Sequence, residues 1–158
     1  MPGNVTLRKL HNILQVVMGW TNSHLHQFYV GEICFTEPDP DWEREVEDDR
    51  KFKLSRITAT EGYKFRYEYD FGDSWIHEIL VEKILLKEPG VKYPLCLTGK
   101  RACPPEDCGG VYGYADLLET IFDPKHEEHK SMLEWVGGEF HPETFDLDEV
   151  NRELRKIR

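Results

Sequence analysis

The sequence predicts an α+β domain in which an antiparallel sheet is flanked by an N-terminal helix and a C-terminal group of helices. Three observations carry this. Helical spacing comes first along the chain, period-two aromatic stretches follow, and helical spacing returns, with no internal repeat. The length of 158 residues suits a single domain spanning 1–158. A hydrophobic content of 39% with four Trp is enough for a packed core, and 32% charged residues provide its solvated surface.

Thr6 precedes Leu7, Leu10, His11, Ile13, Leu14, Val17 and Met18, which share one helical face. Thr6 caps this helix and Gly19 ends it, giving roughly three to four turns. The stretch 23–35 is aromatic and β-branched with a break at Gly31, as expected of a strand or short hairpin. Residues 37–50 are acidic, hold Pro38 and Pro40, and read as a mobile, solvent-facing loop with Trp42 as its large anchor. Apolar positions in 52–60 fit neither helical nor strand spacing. Two strands follow, 63–69 and 75–84, joined through Asp70-Phe71-Gly72-Asp73-Ser74 as an antiparallel hairpin. Beyond a turn-rich loop at 96–110, helices are expected at 113–122, stopped by Asp123-Pro124, and at about 125–135, ended by Gly137-Gly138. A last helix begins after Asp146, which forms a capping box with Glu149 and leaves Leu147, Val150 and Leu154 on one face.

Composition narrows the function classes. A formal charge of −10 repels phosphate backbones, so nucleic acid is a disfavoured partner. Arg152, Arg155, Lys156 and Arg158, like Lys100-Arg101, read as solvated basic groups. No apolar run approaches the roughly 20 residues that cross a bilayer, so no membrane partner is expected and the localisation expected is cytoplasmic. Four cysteines then read as reduced thiols or metal ligands, with Cys34 an ordinary buried thiol.

Several segments together, Leu10-His11, Met18-Gly19-Trp20, Ser23-His24-Leu25-His26-Gln27-Phe28, Tyr67 to Trp75 with His77, and Ala102 to Gly110 with Gly113-Tyr114, resemble the plasmid pRiA4b ORF-3-like family over nearly the whole chain. The resemblance implies an α+β domain whose molecular function is not established, with some relatives in mobile-element contexts. Some relatives carry a resolvase label, but Ser23, Ser55, Ser74 and Ser131 lack the arginine cluster that such phosphoryl chemistry needs. Family members usually begin with a further extended segment before the stretch found here as Pro2 to Thr6. Its apparent absence implies an unpaired sheet edge and self-association.

Three places could hold chemistry. Cys96, Cys103 and Cys108 could bind zinc together with a histidine, although gaps of six and four residues are wider than the usual zinc-knuckle spacing. The same loop also reads as a structural brace, stiffened by Pro104-Pro105, freed by Gly109-Gly110 and capped by Glu106-Asp107; a Cys103–Cys108 disulfide is a third option. His24 and His26 alternate, so on a strand they share a face. With Asp70, Asp73 and His77 they could assemble a His/Asp centre around a metal-activated water. His126 and His129 have the wrong spacing for a metalloprotease helix, and 39–49 lacks the glycine of a calcium loop.

The leading expectation is a binding or interaction module for a protein or small molecule, with no catalytic residue and no cofactor assigned. Its pocket would be built from His24, His26, Asp70, Asp73, Trp75 and His77 beside the aromatics Trp20, Phe28, Tyr67, Tyr69 and Phe71. A metal-dependent hydrolase or nuclease on the same His and Asp residues is the alternative, and a nucleic-acid-binding accessory protein a third. In each case the site is expected where the cysteine loop meets the histidine segment and the Asp70–Ser74 turn.

Overall fold

The computed structural model describes residues 1–157. Its elements run α1 (Leu7–Met18), β1 (His26–Val30), β2 (Ile33–Thr36), β3 (Glu47–Asp48), α2 (Leu54–Ile57), β4 (Lys64–Tyr69), β5 (Trp75–Leu80), α3 (Gly110–Phe122), α4 (His129–Trp135) and α5 (Leu147–Leu154). The strands form one sheet in the order β3-β2-β1-β4-β5. All pairings are antiparallel except β2 with β3. This is the predicted α+β architecture.

Local chemistry accounts for most boundaries. The Thr6 hydroxyl accepts from the Lys9 amide at 3.2 Å, and Gly19 closes α1 at φ 75°, a left-handed conformation that glycine adopts without a Cβ penalty. Gly31-Glu32 is a two-residue hairpin between β1 and β2. Asp146 caps α5 through the Glu149 amide at 2.9 Å. The ambiguous 52–60 stretch holds the single turn of α2.

Register explains the core. Along β4, Phe65, Tyr67 and Tyr69 are buried and their intervening neighbours are more open. Across the sheet, His26 faces Tyr69, which faces Trp75, while Phe28 faces Tyr67, which faces His77. These residues share one face, and Leu7 and Leu10 of α1 join the same apolar cluster. α5 packs on α1, and α3 packs on α4.

Three expectations are corrected. The strand expected to reach residue 84 ends at Leu80. The helix expected from about 125 starts at His129. The acidic stretch 37–50 is not wholly solvent-facing: Glu47–Asp48 add β3 to the sheet, and Asp49 is fully buried. The physical reason is a charge partner supplied from elsewhere in the chain, since Asp49 meets Arg8 at 2.9 Å and His26 at 2.8 Å.

Candidate functional site

The cysteine loop seals one end of the sheet. The Trp20 indole N–H donates to the Pro104 carbonyl at 3.0 Å. Glu106 accepts from the Thr21 amide and hydroxyl and from the Tyr69 hydroxyl, the last at 2.5 Å. Burial raises the Glu106 carboxyl, but these donors outweigh it and the net shift is downward. On the other side, Asp73 accepts from the Gly109 amide at 3.1 Å. Gly110 sits at φ 68°, and a Cβ there would meet the Asp73 carbonyl oxygen at 2.5 Å. Backbone therefore touches backbone at this point, and glycine is required.

Docking the loop brings three elements to one point. His24, just ahead of β1, places Nε2 at 3.1 Å from Asp107 of the loop and at 3.7 Å from Asp70 of the hairpin turn. One ligating atom from each of the three lies within 4.8 Å of the others, and no other such group of three occurs among the described residues. His24 Nε2 is buried yet makes no hydrogen bond. Asp70 and Asp107 both adopt left-handed backbone, φ 58° and 60°. The other Asp70 oxygen is engaged by the Gly72 amide at 3.0 Å.

His26 goes elsewhere. Because β1 starts at His26, His24 is not on the strand and the two imidazoles do not share a face. His26 stacks on His11 with ring centroids 3.5 Å apart and donates from Nε2 to Asp49. A chain of bonds accommodates a neutral His11. The Asn22 amide N–H donates to Gln15 Oε1, which leaves Gln15 Nε2 to donate to the Tyr67 hydroxyl. Tyr67 then donates to His11 Nδ1 at 2.8 Å, and His11 Nε2 donates to Asn22 Oδ1 at 2.6 Å. His11 is neutral in this arrangement. Burial first, then the neighbouring His26, lower its pKa to about 3. Asp49 is held below its ordinary value: burial raises it, but the bonds from His26 and Arg8 prevail.

The remaining predicted site residues have separate roles. Asp73 holds the loop, and Trp75 is a buried core ring beside Trp20. His77 packs edge-on to Trp20, its Nδ1 is buried without a partner, and burial lowers its pKa. Among the described residues the three loop thiols do not come together as a group of three metal-ligand atoms. Cys96 is tied to α5, its amide donating to Asn151 at 2.9 Å, whereas Cys103 and Cys108 pack against the apolar core. Both are free thiols, raised by burial to about 12 and about 11. Of the aromatics expected to line a pocket, Trp20, Phe28, Tyr67, Tyr69 and Trp75 are buried in the core, and Phe71 is half-buried. Sequence reading passed over His11, Asp49 and Asp107. Of the three, Asp107 carried a local signal, two residues ahead of Gly109-Gly110, and with Glu106 it reads as a cap.

A cleft of about 640 Å³ opens behind the loop. Its walls are the end of α1 at Val17 and Met18, the loop at 98–104, and the start of α5 at Glu149 and Val150, with His77 also on its lining.

Residues 1–149 match the plasmid pRiA4b ORF-3-like protein family. The chain belongs to that family. An uncharacterized protein, y4hQ, of Sinorhizobium fredii is 41% identical over 139 residues, covering 87% of this chain and 71% of that protein. The crystal structure of MM3350, a protein of unknown function from Methanosarcina mazei Go1, has a TM-score of 0.82 at 38% identity, covering 94% of this chain and 85% of the other. The pRiA4b ORF-3-like fold thus extends over nearly the whole chain, and neither relative's name carries an activity.

Proposed function

We propose that this pRiA4b ORF-3-like chain is a small-molecule binding module whose site is the cleft between α1, the cysteine loop and α5. The observation that carries this reading is His77. It lines the cleft, and its ring Nδ1 makes no hydrogen bond in the protein, so a small turn of the ring would offer that nitrogen to an occupant. The cleft falls in the range of about 300–1,000 Å³ that ligand sites occupy. Val17, Met18 and Val150 offer apolar wall, while Lys100 and Arg101 on one side and Asp146 and Glu149 on the other offer charge. An amphipathic ligand with an apolar body and one hydrogen-bonding head fits this lining.

Free thiols at all four cysteines support a reducing, cytoplasmic setting for the module, and no helix among the described residues is long and apolar enough to cross a membrane. The test is amide shift mapping of the whole chain with a fragment collection. Hits should move Met18, Ala102 and Val150 together and lose that effect in His77→Phe. A collection that leaves these amides unmoved, or hits that bind His77→Phe equally well, would refute the reading.

A further inference from the structure

We propose that His24 Nε2, Asp70 Oδ2 and Asp107 Oδ1 form a binding site for one first-row transition dication of the Mn²⁺, Fe²⁺ or Zn²⁺ class. The site is separate from the cleft and stands or falls independently of it. Its donors are one imidazole nitrogen and two carboxylate oxygens, a set that suits these ions better than Ca²⁺ or Mg²⁺, which favour oxygen-only shells.

The geometry is close to what an ion needs. Ligand atoms about 2.1 Å from a tetrahedral ion lie about 3.4 Å from each other. His24 Nε2 stands 3.1 Å from Asp107 and 3.7 Å from Asp70, and all three ligand atoms lie within 4.8 Å of one another, so side-chain rotation can close them on an ion. The second observation is the imidazole itself. Its Nε2 is buried, stands within 3.1 and 3.7 Å of the two carboxylates, and makes no hydrogen bond to either. A nitrogen in that position is costly unless something accepts its lone pair or its proton.

The surroundings hold the ligands in place. Asp70 Oδ1 accepts from the Gly72 amide, which fixes the carboxylate and leaves Oδ2 for the ion. Glu106, although adjacent to Asp107, is taken up by Thr21 and Tyr69 and does not compete. Three protein ligands leave at least one coordination position open. The Asp107 side chain, 69% exposed, sets the ligand group at the surface, where water or a substrate oxygen can reach the ion.

The experiment separates a bound ion from direct pairing of the imidazole with the two carboxylates. Mn²⁺ is the probe, because thiols bind it poorly and Cys103 and Cys108 then stay silent. After EDTA treatment of the whole chain, sub-stoichiometric Mn²⁺ should broaden the amides of residues 23–25, 70–72 and 107–109 selectively. Asp107→Asn should weaken this at least about ten-fold, the loss that even outer-shell changes cause. Asp107 makes no hydrogen bond through its side chain among the described residues, so the variant keeps the fold, and a thermal melt verifies that. Absence of selective broadening in the wild type, or broadening unchanged in Asp107→Asn, overturns the proposal.

Discussion

Lowering the pH from 7 to 5 should destabilise the protein, and His11 should be the main cause. In the folded chain its ring is fully buried, stacked on His26, and bonded so that Nδ1 accepts from Tyr67. Its pKa falls from 6.5 to about 3, chiefly through burial. The sign follows from proton counting. Between those values the unfolded chain carries the His11 proton and the folded chain does not, so acid favours unfolding. Stability from this group is complete above about pH 6.5 and is lost progressively toward pH 3. At pH 5 the loss is about 2 kcal/mol, from 1.36 kcal/mol per unit of separation between pH and the unfolded value. For a chain of this size that is a fall of about 4–8 °C in melting temperature. Urea unfolding at pH 7 and pH 5, for wild type and for His11→Gln, checks it. The variant is less stable at pH 7 but should lose most of the pH difference, with His77, also lowered by burial, leaving a residue of the same sign. An equal pH difference in the two proteins, or greater stability at pH 5, would refute the reasoning.

Two further outcomes are expected. Asp49→Ala takes from His26 its acceptor and from Arg8 one of two carboxylates, Glu37 remaining, and should cost about 1–3 kcal/mol in urea unfolding, as leaving a buried donor unsatisfied does; an unchanged or raised stability would contradict it. The β5 edge carries exposed Ile76 and Leu80 and among the described residues pairs with β4 alone, so we expect self-association through this edge: sedimentation should give a concentration-dependent mass that Ile76→Lys returns to the monomer, and a concentration-independent monomer would remove the idea.

How much of the site could be read in advance depended on sequence distance. The Asp70–Ser74 turn was legible, since its glycine and aspartates mark a hairpin by local chemistry alone. That His24 belonged near it was legible only as an expectation. That Asp107 completes the group required the loop to fold back over the sheet end, through contacts such as Thr21 to Glu106, 85 residues apart. His26 was misplaced because a period-two reading assigns a face to any alternating pair, and it has no means of finding where the strand begins.

By itself, the sequence determined the type and order of most elements, β3 and the single turn of α2 excepted. The Thr6 and Asp146 caps, the Gly19 stop, the Gly31 turn and the alternation along β4 all act within a few residues. Only the tertiary structure decided which polar groups are buried and with whom. Asp49 stands between Asp48 and Arg50 in a stretch whose composition suits solvent, yet it is enclosed because Arg8, 41 residues away, and His26, 23 residues away, arrive to compensate it. Burying a charge is governed by its partners, and partners brought together by chain reversal leave no local mark.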